Sequence, residues 1–204
     1  MDNREFEKRL NNEGYNLIAG CDEVGRGCIA GPVYACAIIM PNNSNIEGVT
    51  DSKKLTDKKR RILKDQILKE AISYAVVAIT NQEIDEINIL EASRKAMEEA
   101  LKQLDVKPNY ILTDAMPLLD FFGTPIEALI KGDAKAQCIA AASILAKVTR
   151  DRIMDEFDKQ YPDYCFKKHK GYPTKQHLEL LEKYGPIKEH YRYSYGPVKK
   201  FLSK

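Results

Sequence analysis

Three observations in this 204-residue sequence predict an α/β protein. Five short runs have the length and β-branched or small apolar composition of buried strands, amphipathic stretches at helical spacing lie between them, and no apolar run approaches the ~20 residues that a membrane helix needs. Hydrophobic residues make up 44% and charged residues 30%, the balance of a soluble globular chain with one main core and room for a smaller appended unit. The polar start Met1-Asp2-Asn3-Arg4-Glu5 is unlike a secretory signal, which predicts a cytoplasmic protein with no membrane partner. The five cysteines, Cys21, Cys28, Cys36, Cys138 and Cys165, are scattered and lack Cys-x-x-Cys spacing, as expected of reduced, mostly buried thiols.

In order along the chain, residues 2–13 are polar with Phe6 and Leu10 at helical spacing, a short outer helix expected to carry no chemistry. Residues 17–21 read as a buried strand that ends on an acidic loop. Gly31-Pro32 then breaks the chain, and residues 33–40 form a second strand whose tight connection favours antiparallel pairing. A loop rich in Asn, Ser and Gly follows, and Thr56 reads as the N-cap of a helix. In that helix Lys58, Lys59, Arg60 and Lys64 line the wet face, while Ile62, Leu63, Ile67 and Leu68 turn inward. A third strand covers residues 72–79 and an amphipathic helix residues 81–104, with Pro108 as its stop. Residues 110–114 and 127–130 supply the fourth and fifth strands. From residue 134 a run rich in alanine permits close contact between helix and sheet, with Asp133 as its expected N-cap.

The chemistry concentrates at the strand ends. Asp22 and Glu23 close the first strand, Asp114 the fourth, and Asp133 follows the fifth. Strands that end in acids can bring them together at one sheet edge, and hard cations want carboxylate oxygens. Two Mg²⁺ or Mn²⁺ ions roughly 3.5–4 Å apart can clamp an in-line phosphoryl displacement. Each acid alone also has a bland reading, a solvated turn for Asp22-Glu23 and a helix cap for Asp133. Behind the first pair, Gly25 and Gly27 let peptide N–H groups approach a phosphate or sugar oxygen, with Arg26 as a cation between them. Ser52 and Lys53, in the loop before the Thr56 helix, are candidates to contact phosphate.

Net charge of +2 conceals an asymmetry. Residues 159–204 hold eleven Lys or Arg against four Asp or Glu, with seven of the eleven tyrosines and all three histidines. Cations interleaved with aromatic rings suit a polyanion with stackable sugars or bases, although a solvated lysine-rich surface gives the same composition.

The motifs Asp22-Glu23-Val24-Gly25-Arg26-Gly27, Asp51-Ser52-Lys53-Lys54-Leu55, Asp114, Lys131-Gly132-Asp133, residues 140–151 and Lys170-Gly171-Tyr172-Pro173-Thr174 together resemble bacterial ribonuclease HII, the type 2 ribonucleases H, in the same order and over nearly the whole chain. The resemblance implies a ribonuclease H-like mixed five-stranded sheet flanked by helices (residues 1–158) and a small helical C-terminal extension for substrate binding (residues 159–204). It implies that Asp22, Glu23, Asp114 and Asp133 bind two divalent ions, Mg²⁺ or Mn²⁺. It assigns the ribose 2′-hydroxyl to Gly25, Arg26 and Gly27, and the sensing of an RNA-to-DNA junction to Tyr172. The expected substrates are RNA–DNA hybrids and duplex DNA containing ribonucleotides, cut on the 5′ side of a lone ribonucleotide to leave 5′-phosphate and 3′-hydroxyl ends. A monomer is expected, and the C-terminal Lys199-Lys200-Phe201-Leu202-Ser203-Lys204 leaves a sliding clamp open as a partner.

Two departures accompany the likeness. Ala115 stands where the family has glycine, and Tyr191-Arg192-Tyr193-Ser194-Tyr195 stands for a His-Arg-x-Ser-Phe-like tail, leaving the role of its tyrosines open. Type 3 enzymes usually carry an extra N-terminal domain and lack the junction tyrosine, whereas 21 residues precede Asp22 here and Tyr172 is present, which favours type 2. Asp151, beside Arg150 and Arg152, reads as a helix-surface ion pair of little worth, and His169, His177 and His190 as nucleic-acid contacts or surface positions. A hybrid-binding module without cleavage, an assembly protein and a type 1-like ribonuclease H remain as alternatives. Metal-dependent cutting at one embedded ribonucleotide separates them.

Overall fold

The structure is a computed structural model that describes residues 3–202. Its centre is one five-stranded sheet of β1 (Ile18–Val24), β2 (Val33–Ile39), β3 (Ser73–Ile79), β4 (Tyr110–Asp114) and β5 (Ile126–Leu129), in spatial order β3-β2-β1-β4-β5. The sheet is mixed: β1 pairs antiparallel with β2, β2 antiparallel with β3, and β4 runs parallel to both β1 and β5. The expected fold class is therefore the observed one. No helix among the described residues is long and apolar enough to cross a membrane.

Strand alternation divides the core between two faces. Ala19 and Cys21 of β1 join Ala35, Ala37 and Ile39 of β2 against Ile84, Ala92, Ala96 and Met97 of α3 (Asn81–Lys102). On the other face, Cys36 and Ile38 meet Leu63 and Ile67 of α2 (Asp57–Glu70) and Ala140–Ala142 of α5 (Gln137–Gln160). The alanines allow a close approach. At Gly20 a Cβ would run into the backbone of Cys138, so β1 and α5 touch main chain to main chain.

Several boundaries differ from expectation for non-local reasons. β1 continues through Val24, because Asp22 and Glu23 still pair with Cys36 and Ala35 of β2, so the two acids lie within the strand and not in a loop beyond it. Helix α3 ends at Lys102, well before Pro108, and is broken at Asn88 (φ 69°, ψ 165°), whose Oδ1 accepts from Leu90 and Glu91 N–H and restarts the helix. Asp133 is not the cap of α5. It lies in the one-turn α4 (Gly132–Lys135), separated from α5 by extended Ala136. The cap comes instead from Glu7 of α1 (Glu5–Asn12), whose Oε1 accepts from Cys138 N–H at 2.9 Å, which gives the outer helix a structural task. Thr56 caps α2 as expected. Arg60, however, leaves the wet face to donate to Ser52 O and Leu55 O, while Ile62 is exposed.

The C-terminal part comprises α6 (Phe166–His169), α7 (Lys175–Tyr184) and α8 (Gly196–Lys199). The boundary at 158/159 falls inside α5, whose Met154 and Phe157 pack with Phe166, Leu181, Tyr191, Val198 and with Ile29 and Ala30 of the core. Asp85 of α3 accepts from Tyr193 and Ser194 N–H, and Asn81 donates to Tyr191 O. His169 and His177 are not at the surface. Both are buried and stack at 3.8 Å, because the helical appendage folds its polar aromatics inward. Phe201 packs half-buried on this small core and Leu202 is exposed; Ser203 and Lys204 of the candidate clamp-binding tail lie outside the described residues.

Candidate active site

Cys21 of β1 faces Thr113 of β4 in parallel register, so the next residue of each strand, Asp22 within β1 and Asp114 at the end of β4, stand side by side. Asp114 Oδ1 accepts from Gly132 N–H at 2.7 Å, which draws the start of α4 and hence Asp133 to the same edge. A Cβ at Gly132 would crowd Ile139 and Leu129, so glycine is what lets α4 sit this close. The four acids are thus gathered by two adjacent strands and one helical turn.

Burial and mutual charge dominate their electrostatics. Asp22 is buried, and desolvation, then Glu23 and Asp114, push its carboxyl well above the usual range, against a hydrogen bond from Ser143. Glu23 is raised mainly by burial, while Arg26, whose Nη1 lies 3.4 Å from Oε1, pulls it back. Asp133 is raised to about 6 by burial, then by Asp114 and Asp51, with Lys53 opposing. Glu23 Oε2 is buried without a hydrogen-bond partner. A buried orphan acceptor beside repelling carboxylates is a poor structural element and a fitting donor for a hard cation. Among the described residues no three His, Cys, Asp or Glu side chains stand close enough together to hold a metal ion between them.

Beside the acids runs the glycine loop. Gly25 has φ +98°, and a Cβ there would collide with the Arg150 side chain. Arg150 is fully buried and donates to Ala30 O, Pro32 O and Lys170 O, so one guanidinium ties the loop after β1 to the Lys170-Gly171-Tyr172 segment. Gly27 is the open position: a Cβ would meet only the Tyr172 ring, at 3.9 Å. Lys147 Nζ lies 5.8 Å from that ring's centroid. Burial first, then Cys28, push the Tyr172 phenol up to about 12, so it remains protonated. Its carbonyl is held by His177 at 2.8 Å, and His177 Nε2 is bonded to the Tyr191 hydroxyl at 2.8 Å.

Of the residues expected to meet phosphate, Lys53 is exposed and close enough to Asp133 to affect its titration. Ser52 is not available: its hydroxyl is buried on Ser143 Oγ at 2.9 Å, in the line that supports Asp22. Asp151 also corrects the expectation. It is buried, with Lys147 Nζ at 2.6 Å and Arg60 Nη2 at 3.8 Å, because the face of α5 that carries it is covered by α2 and the Lys170 side chain. Sequence reasoning missed Ser143, Asp51 and Arg150 as parts of the site. Their only signal was membership of two other motifs of the same resemblance, Asp51–Leu55 and residues 140–151, since the contacts span more than 80 residues.

Comparison with known proteins gives the family. The family model described as ribonuclease HII matches residues 19–197. A ribonuclease HII of Caldicellulosiruptor bescii is 50% identical over 186 residues, 91% of this chain and 90% of that protein. Among solved structures, ribonuclease H2 from Pyrococcus horikoshii OT3 superposes with TM-score 0.77 at 30% identity over 91% of this chain and 97% of that one. The RNase HII of a PCNA complex from Archaeoglobus fulgidus does so with TM-score 0.74 at 27% identity, over 88% and 95%. With a fold, an acid edge and a sequence match that coincide over nearly its whole length, the chain belongs to the ribonuclease HII family and is a hydrolase of the ribonuclease H type, a nuclease for the RNA strand of RNA–DNA hybrids.

Proposed function

We propose that this nuclease, beyond cutting hybrids, cleaves on the 5′ side of a single ribonucleotide embedded in duplex DNA, leaving a 5′-phosphate on the ribonucleotide and a 3′-hydroxyl upstream. The observation that carries this reading is that Gly27, open to solvent on its Cα side, faces the Tyr172 ring beside the acid edge. A lone ribonucleotide differs from its neighbours by one 2′-hydroxyl, a group that both donates and accepts. Backbone groups of Gly25 and Gly27 can reach it where a side chain would obstruct. The Tyr172 ring offers a flat apolar surface for the next sugar, against which a further 2′-hydroxyl would be crowded. Arg26, Lys53 and the basic extension face the phosphates.

Asp22, Glu23, Asp114 and Asp133 would hold the divalent ions, Mg²⁺ or Mn²⁺. Bound ions there supply charge neutralisation and activation of water for in-line displacement. Mg²⁺ is bound through one or two protein carboxylates and keeps the rest of its coordination for waters and substrate phosphate. Ser143 and Ser52 hold Asp22 in place, and Gly132 N–H holds Asp114. The chain acts as a monomer on duplex substrates, and the exposed Leu202 beside Phe201 is where a clamp of the kind named with the Archaeoglobus relative would be sought.

The test is cleavage of a DNA duplex carrying one ribonucleotide, with Mg²⁺ and with chelator, against an all-DNA control. Cutting 5′ to the ribonucleotide only with metal is expected, and Asp22→Asn, Glu23→Gln, Asp114→Asn and Asp133→Asn should each abolish most of it while duplex binding persists. Activity on long hybrids with none on the single ribonucleotide would overturn the junction reading.

A further inference from the structure

The peptide between Arg26 and Gly27 is gripped from the far end of the chain. Tyr195 Oη donates to Arg26 O at 2.6 Å, and Arg192 Nη1 donates to the same oxygen at 3.1 Å and to Tyr195 Oη at 3.1 Å, closing a triangle of hydrogen bonds. Arg192 is fully buried, stands with its guanidinium 5.3 Å from the Tyr195 ring centroid, and anchors itself through Nε to Gly31 O at 2.9 Å. Its own N–H donates to Ile29 O, and Tyr191 bridges Ala30, so the tail is fastened to the loop by main chain as well.

Planarity makes this grip matter. In a trans peptide the C=O and N–H point in opposite directions, so fixing Arg26 O fixes the direction of Gly27 N–H. With glycine on one side, rotation of that peptide plane would otherwise cost little, since Gly27 tolerates either sign of φ. Among the described residues no backbone hydrogen bond engages Gly27 N–H, which leaves it free for a ligand. A buried arginine with Nη2 unpaired is an expensive way to fill space, whereas two donors on one carbonyl are what a fixed amide direction requires.

We propose that Arg192 and Tyr195 are positioning residues for recognition of the 2′-hydroxyl: from the C-terminal tail they lock the Arg26–Gly27 peptide so that Gly27 N–H is presented to the ribose. This rests on the reading of the glycine loop given under the proposed function.

The experiment measures affinity, with Ca²⁺ in place of Mg²⁺, for an all-DNA duplex and for the same duplex with one ribonucleotide, in the wild type and in Tyr195→Phe, together with melting temperature. Tyr195→Phe removes one oxygen and keeps the ring. It is expected to reduce the preference for the ribonucleotide duplex about fivefold, the worth of one hydrogen bond, with all-DNA affinity and melting temperature unchanged. Arg192→Lys, which keeps the charge but not the paired donors, should reduce the preference further. An unchanged preference in Tyr195→Phe, or equal losses on both duplexes with a fall in melting temperature, would overturn the proposal alone. A wild type that binds both duplexes equally would overturn it together with the reading of the loop.

Discussion

His177 gives a pH dependence whose sign and size follow from its surroundings. The ring is buried, its Nδ1–H donates to Tyr172 O, and its Nε2 accepts from the Tyr191 hydroxyl. Burial first, then the stacked His169, lower it to about 4, with the Tyr172 carbonyl opposing. An unfolded histidine titrates near 6.5. Between about pH 6.5 and 4 the unfolded chain therefore binds a proton at this position that the folded chain refuses, and stability falls as pH falls through that window. At ~1.4 kcal/mol per unit, the loss attributable to His177 approaches about 3 kcal/mol by pH 4. The perturbation is His177→Asn, which keeps a donor for Tyr172 O and removes the titration. Urea unfolding at steps from pH 7.5 to 4 should show the variant less stable at the top of the range by a constant offset. The wild type should lose stability faster on acidification, until the two curves meet or cross. The carboxyls of Asp22, Glu23 and Asp133, raised by burial, work with the opposite sign, losing stability as pH rises, but they are present in both proteins and cancel in the difference. Parallel curves across the window would refute the assignment.

Three further substitutions test other joints of the structure. Gly25→Ala places a Cβ against Arg150 at a φ of +98° and should cost about 2 kcal/mol or more in chemical denaturation while also lowering cleavage, since the loop must shift to relieve it. Asp151→Ala leaves Lys147 and Arg60 facing a buried void and should cost about 3 kcal/mol, far more than a surface pair; a change below ~1 kcal/mol would return Asp151 to the surface reading. Ala115→Gly relieves a left-handed alanine (φ 54°) directly after Asp114 and should raise stability by about 1 kcal/mol with cleavage intact, measured by melting temperature and turnover.

The parts of this molecule that were legible in the sequence are those governed by local pattern. Alternating and small apolar runs located all five strands, Thr56 announced α2, and the acid that closes β4, the one that follows β5 and the Asp22-Glu23 pair singled out the carboxylates that the fold brings to one edge. What was not legible depends on partners distant in sequence. Whether Asp22 and Glu23 lie in a loop or a strand is decided by Cys36 and Ala35 across β2. The cap on α5 does not come from Asp133, because the carboxylate that accepts from Cys138 N–H belongs to Glu7, 131 residues away. Asp151 and His177 carry surface-like side chains into the interior because α2 and the C-terminal helices cover them, and no periodicity within α5 or α7 reports that covering.

The same distinction separates the residues proposed to do chemistry from those that hold them. The acids cost stability, since burial and repulsion raise Asp22, Glu23 and Asp133 together. The rigidity they need is imported: Ser143 and Ser52 support Asp22, Gly132 N–H supports Asp114, and Arg150 braces the glycine loop from beneath. The C-terminal tail completes the bracing, with Arg192 and Tyr195 on Arg26 and His177 on Tyr172. The tyrosines whose role the sequence left open thus divide by contact. Tyr191 bears on the Tyr172 side through His177, and Tyr195 on the Gly27 side through Arg26, so the two halves of the proposed ribonucleotide recognition are held by residues four apart in one short segment. Removing that segment should therefore cost discrimination as well as phosphate affinity, whereas neutralising its lysines alone should flatten the salt dependence of binding and leave discrimination in place.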